Sequence, residues 1–290
     1  MDNNTDHQSQ VREETSMNIA IIGCGYVGYA VAKYWQQKMT FVVTATTTTP
    51  ERIQKLQTVA QKVVIVKGTD AQTLQSVLQN QDVVLLSVGA KGANVYEETY
   101  LETAKTLVAI LPQLPNIKQI IYTGSYSVYG DGNGATVDED TPVEPTHTSG
   151  IVLRQTEKVL LSAASEKLRV CILRLGGIYG NNRELLKIFG RASGTTRPGN
   201  GEDVTNWIHL DDIVGAIEFA RQQHLQGIYN LVDDAHLSSR ELLDTLFAKH
   251  NLPKVQWDSS LKSDRPYNAT VSNQKIKDAG YKLIHPQIIF

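Results

Sequence analysis

The chain has 290 residues, 41% of them hydrophobic, with 28 basic side chains against 30 acidic ones. That apolar share excludes disorder of the whole chain, and a net charge of -2 supplies no field to hold a polyanion, so no nucleic-acid partner is expected. At about 150 residues per domain the length leaves one large α/β unit or two small domains open, while two distant cysteines, Cys24 and Cys171, suit a reducing cytoplasm better than a disulfide scaffold or zinc site.

Residues 1–16 are polar and without periodicity, and read as a flexible tail with Met17 as an alternative start. Asp2, Asp6, Glu13 and Glu14 against Arg12 give the tail the wrong sign for export. The most apolar stretch, Ile19 to Ala32, is shorter than the ~20 residues of a membrane helix, so no membrane partner is expected.

From Asn18 onward, short β-branched runs alternate with amphipathic stretches of helical length, which predicts βαβ units on a parallel sheet. The runs are 18–22, 41–45, 63–66, 83–88 and 119–122, each nearly continuous in apolar residues as befits strands covered on both faces. Between them lie helices at 26–38, 50–61, 70–79 and 96–111, the second opened by Pro50 and the last closed before Pro112. Later come a helix at 150–166, a strand at 169–175, a helix at 210–222 and a strand at 228–232, with loops by composition at 130–148 and 190–206. The fold class is α/β: a doubly wound parallel Rossmann sheet over 17–180, with 181–290 completing the sheet and forming a smaller C-terminal substrate lobe.

Gly23-Cys24-Gly25-Tyr26-Val27-Gly28 is G-x-G-x-x-G directly after the first strand and opening the first helix, the context that makes this pattern informative. Gly23 permits the tight turn, Gly25 lets backbone approach a pyrophosphate, and Gly28 lets helix and strand pack closely. The helix start offers free N–H groups and the positive end of a dipole to phosphates. Tyr26 and Val27 belong to the same cofactor contact, and Cys24 reads as a small filler. An NAD site places a carboxylate about 20 residues on, at the end of the second strand. Here Thr44-Ala45-Thr46-Thr47-Thr48 stands instead, so Thr46, Thr47 and Arg52 favour NADP, with NAD the alternative.

At this point the chain resembles the extended short-chain dehydrogenases/reductases, the group of NAD-dependent sugar epimerases and dehydratases, from Asn18 to about Pro286. Ser87-Val88-Gly89 looks like the cofactor-contacting end of that family's fourth strand. The run Tyr122-Thr123-Gly124-Ser125-Tyr126-Ser127-Val128-Tyr129-Gly130 is similar to its catalytic Ser/Thr loop, with Ser125 at that position. Leu173-Arg174-Leu175-Gly176-Gly177-Ile178-Tyr179-Gly180 and Asn206-Trp207-Ile208-His209-Leu210-Asp211-Asp212 match later blocks in family order. The resemblance implies a nucleotide-binding fold and an oxidoreductase or epimerase-like activity on a small carbonyl or sugar-derived substrate. It also implies pairing of two copies through helices 96–111 and 150–166.

The family's Tyr-x-x-x-Lys pair is the departure. Aligning Glu157 with the family's helical Glu puts Ser149 at the Tyr and Leu153 at the Lys, as in the family's atypical branch. A Tyr hydroxyl, near 10 when unperturbed, is lowered by the Lys into useful range; a serine beside a leucine is no substitute. Tyr126 and His147 are the candidate replacement acids, while Tyr129 reads as a packing residue. His209 with Asp211 and Asp212 reads as a strand end followed by an Asp-capped helix start, Glu157 as a solvated helix position, and Arg174 and Arg183 as substrate-anion contacts, with Arg183 fitting an ordinary surface helix equally well. Spacing along the chain offers no metal-ligand cluster. The competing reading is a catalytically inactive NADP-binding sensor or scaffold.

Overall fold

A computed structural model describes residues 17–290; the tail read at 1–16 lies outside the described residues. The chain opens with β1 (Asn18–Ile22), α1 (Tyr26–Lys38), β2 (Val42–Thr47), α2 (Ile53–Leu56), β3 (Lys62–Ile65), α3 (Ala71–Leu78), β4 (Val83–Leu86), α4 (Thr103–Ile110) and β5 (Gln119–Ser125). Then follow β6 (Thr136–Val137), α5 (Thr148–Leu161), β7 (Arg169–Leu175), β8 (Gly177–Tyr179), α6 (Leu185–Phe189), β9 (Thr196–Pro198), β10 (Trp207–His209), α7 (Leu210–Gln222) and β11 (Gly227–Leu231). The chain closes with α8 (Ser239–Lys249), β12 (Gln256–Asp258), β13 (Thr270–Val271) and α9 (Gln274–Asp278).

Seven strands form one sheet in the order β11-β7-β5-β4-β1-β2-β3, every pair parallel. Strand order reverses between β1 and β4, where Ile19 lies beside both Val43 and Val83. Such a reversal leaves a crevice at the carboxyl ends of the strands. One face is covered by α1 and α7, whose Val31, Trp35, Ile213 and Ile217 share a core, and the other by α3, α4 and α5 through Leu74, Leu78, Leu107 and Leu160. Both faces are thus buried, which is why the strands read as unbroken apolar runs. Among the described residues no helix is long and apolar enough to cross a membrane.

Two expected helices differ. The stretch read as 50–61 contains only a 3-10 turn and the four-residue α2, because the Thr58 hydroxyl bonds the Lys55 carbonyl at 2.7 Å and the chain turns Val59 and Ala60 into the core. The stretch read as 96–111 is helical from Tyr96 onward as expected, but a π-helical turn at Glu98–Glu102 interrupts it ahead of α4. Both long loops also contribute strands: β6 pairs with β13, and β9 with β12, so distant C-terminal segments are tied to them. On this carboxyl edge α6 and α8 pack around Tyr179, Leu185, Leu242, Leu246 and Phe247.

Candidate active site

The glycine loop follows from the chain's own sterics. Gly23 has φ +81°, and a Cβ there would fall 2.7 Å from Val88 Cα, so both conformation and space demand glycine. At Gly28 a Cβ would sit 3.0 Å from Ile21 Cγ2, the close approach of α1 to β1. At Gly25 a Cβ would meet nothing nearer than the Gly23 carbonyl at 3.9 Å, and Gly25 borders a groove of about 910 Å³. That open space lies at the start of α1, which has no side-chain cap and no acidic residue in its first turn. These residues fit a dinucleotide pyrophosphate, held by backbone N–H groups and the helix dipole. Cys24 is 2% exposed and burial pushes its thiol up to about 12, leaving it an inert filler.

Tyr26, Val27, Thr46, Thr47, Arg52, Ser87, Val88 and Gly89 all line this groove. Their jobs differ. The Thr46 hydroxyl accepts the Gly23 N–H at 3.0 Å and its carbonyl accepts the Cys24 N–H at 2.8 Å, so Thr46 shapes the loop. Thr47 accepts from the Thr49 N–H at 3.1 Å. Arg52 reaches the Gly25 carbonyl at 3.4 Å, and Thr48, Lys67 and Lys91 also line the groove, with Lys67 3.7 Å from the Glu98 carboxylate and Lys91 3.3 Å from the Thr49 hydroxyl. Tyr26 donates to the Asn181 carbonyl at 2.7 Å, tying the glycine loop to the chain after β8.

Ser125 ends β5 beside Leu175 of β7, half-buried, with its Oγ 3.0 Å from Ser127 Oγ. It lines the groove and also a second cavity of about 310 Å³, as does Gly176. Tyr126 lines only the second cavity, 7% exposed, its ring edge-on to Tyr267 at 5.2 Å and its hydroxyl accepting from Arg265 Nη2 at 3.4 Å. Burial, aided by Tyr267 and opposed by the Arg265 cation, pushes the Tyr126 phenol up to about 12, so it holds its proton at neutral pH.

The remaining sequence candidates go elsewhere. His147 is exposed, lines neither space, and has its Nε2 3.2 Å from the Pro266 carbonyl. The Tyr129 hydroxyl donates to Asn230 Oδ1 at 2.9 Å, the packing role expected of it. Ser149 is exposed on α5, and Leu153, 2% exposed, packs with Tyr126, Tyr129 and Val137. Two readings are corrected. Glu157 is not solvated but 2% exposed, and Arg174 does not face substrate: its Nε and Nη2 donate to the two Glu157 carboxylate oxygens at 3.0 and 2.8 Å. The strand's apolar neighbours hide both charges, so each needs the other. Arg183 does line the groove, its Nε donating to the Ile178 carbonyl at 2.9 Å.

Arg197, Arg265, Tyr267 and Trp257, which also line the second cavity, carry no local motif and come from segments far apart in the chain. His209 itself caps α7, its Nδ1 accepting the Asp211 N–H at 3.1 Å, so the expected Asp cap is replaced. Folding also gathers His209, Asp211 and His285, with one donor atom from each within 4.8 Å of the others. Chain spacing hid this cluster because His285 arrives from the C-terminal segment.

A sequence model of the NAD dependent epimerase/dehydratase family matches residues 19–231. Protein YeeZ of Escherichia coli (strain K12) is 30% identical over 267 residues, covering 85% of this chain and 89% of that protein. A functionally unknown conserved protein from Silicibacter pomeroyi superposes with a TM-score of 0.75 at 23% identity, over 94% of this chain and 95% of that one. The dTDP-glucose 4,6-dehydratase from Bacillus anthracis, solved in complex with NAD, gives a TM-score of 0.77 at 18% identity, over 93% and 92% of the two chains. With its glycine loop, strand order and the match over residues 19–231, the chain belongs to the NAD dependent epimerase/dehydratase family.

Proposed function

We propose that this chain is an NADP-dependent oxidoreductase or epimerase-like enzyme acting on a small carbonyl or sugar-derived substrate. The observation that carries the reading is the position of Ser125, on the shared wall of the groove and the second cavity. A bound dinucleotide supplies hydride transfer. Ser125 orients the reacting oxygen, and the Tyr126 hydroxyl, pushed up to about 12, keeps its proton and donates a hydrogen bond to that oxygen. The cavity's volume of about 310 Å³ sits at the small end of the ~300–1,000 Å³ of ligand sites. Arg265, which donates to the neutral hydroxyls of Ser239 and Tyr126, and Arg197 line this space together with the carboxylates Asp203 and Asp264, so the lining offers both donors and acceptors to a hydroxylated substrate.

The preference for NADP rests on Thr48, Arg52, Lys67 and Lys91 in the groove lining and on the threonines where an NAD site carries a carboxylate. Calorimetry is expected to give NADP at least ~10-fold tighter than NAD, and Arg52→Ala is expected to erase most of that difference. The activity is tested by NADPH turnover over a panel of small carbonyl and sugar-derived compounds, with Ser125→Ala and Tyr126→Phe lowering the rate by about 10²–10⁴. If neither dinucleotide binds, the reading falls. Binding without turnover favours the second reading, a cofactor-binding sensor, whose support is the exposed Ser149 and the buried Leu153 at the positions of the family's Tyr and Lys.

A further inference from the structure

The His209, Asp211 and His285 cluster lies outside both spaces, at the start of α7. Asp211 Oδ2 is 3.4 Å from His209 Nδ1 and 3.1 Å from His285 Nε2, and the two imidazole rings stand 4.1 Å apart. Zinc-to-donor bonds of about 2.0–2.1 Å in a tetrahedron require donors about 3.3 Å apart, so two of the three edges already have that length. Two imidazole nitrogens and one carboxylate oxygen are a borderline donor set that suits zinc, cobalt or nickel over calcium or magnesium.

The frame behind these donors is built. His209 is walled in by Gly180, where a Cβ would fall 3.0 Å from Nε2, and by the Tyr179 ring at 5.1 Å, leaving Nδ1 as the outward donor. His285 is placed by its own N–H, which donates to Asp212 Oδ2 at 2.9 Å. The carboxylates of Asp211 and Asp212 outweigh the roughly +0.5 charge of the helix start. A cation would displace the Asp211 N–H now bonded to Nδ1.

We propose that His209, Asp211 and His285 bind one divalent transition cation of the zinc class, with water completing the shell, and that this cation fastens the C-terminal segment to α7. The role is structural, and it is independent of the reading given for the active site. The test titrates tag-free, full-length protein with Co²⁺, followed by visible absorption and back-titrated with Zn²⁺. One equivalent of Co²⁺ is expected to bind with intensified d–d bands that Zn²⁺ abolishes, and Zn²⁺ is expected to raise the thermal midpoint. His285→Gln and Asp211→Asn remove partly exposed side chains and leave the backbone bond to Asp212, so both are expected to fold. Each is expected to weaken Co²⁺ binding by at least ~10-fold and to lose the Zn²⁺-dependent shift. Folded wild-type protein that binds no Co²⁺, or equal affinity in both variants and the wild type, overturns the proposal.

Discussion

At the scale of single residues, the three loop glycines separate by the space around them. Gly25→Val is expected to leave the thermal midpoint near that of the wild type while abolishing calorimetric NADP binding, since its side chain would enter only the groove. Gly23→Ala is expected to destabilise the protein by about 1–3 kcal/mol in urea unfolding, because positive φ and the Val88 contact both oppose it. Asp233 raises a different question. It is 1% exposed, its Oδ2 has no partner among the described residues, and burial lifts its carboxyl from 3.8 to about 7. Between those values the unfolded chain has released a proton that the folded chain keeps, so stability is full below about pH 4 and is lost as the pH rises towards 7. At 1.36 kcal/mol per pH unit the loss is at most on the order of 4 kcal/mol. Urea unfolding at pH 5 and pH 8 is expected to show this decline, and Asp233→Asn to flatten it.

At the scale of elements, the Glu157–Arg174 pair joins α5 to β7 beneath the Tyr129 ring, which lies 4.7 Å from the guanidinium. Glu157→Gln leaves a buried cation short of its counter-charge and is expected to cost about 3–5 kcal/mol, whereas Glu157→Leu with Arg174→Met is expected to recover most of that loss. Denaturant midpoints of the single and double variants check it. The elements themselves were legible where periodicity ran unbroken: α1 and α7 lie at 26–38 and 210–222 as read, and β1 and β7 at 18–22 and 169–175. The failures were local. A threonine hydroxyl bonding its own turn shortened α2, and a π-helical turn interrupts the helix ahead of α4, and neither effect alters the apolar pattern from which a helix is read. Glu157 was misread because helical spacing says which face a residue occupies and not which charge waits across from it.

At the scale of the whole molecule, the phosphate loop could be read from six consecutive residues because its chemistry is backbone chemistry. The second cavity could not, since its walls come from the ends of β5 and β7, from the β9 and β10 region, from α8 and from the chain around Arg265. Folding alone sets such residues side by side. The same holds for the expected pairing of two copies through α4 and α5, where Ile151 is 42% exposed on α5. If those helices pair, Ile151→Glu is expected to move the protein to the monomer mass in analytical ultracentrifugation, and an unchanged mass would exclude that face.

Asp212 carries one more consequence. Fully buried, it accepts the Tyr281 hydroxyl at one oxygen and the N–H groups of Ile284 and His285, at 2.6 and 2.9 Å, across both. Residues outside any helix or strand, as these are, ordinarily exchange their amide protons quickly. Here the acceptor belongs to a helix packed on α1, so these amides can open only when that layer opens. In native-state hydrogen exchange, Ile284 and His285 are expected to report the opening of α7, and cofactor bound at the start of α1 is expected to slow them from across the molecule.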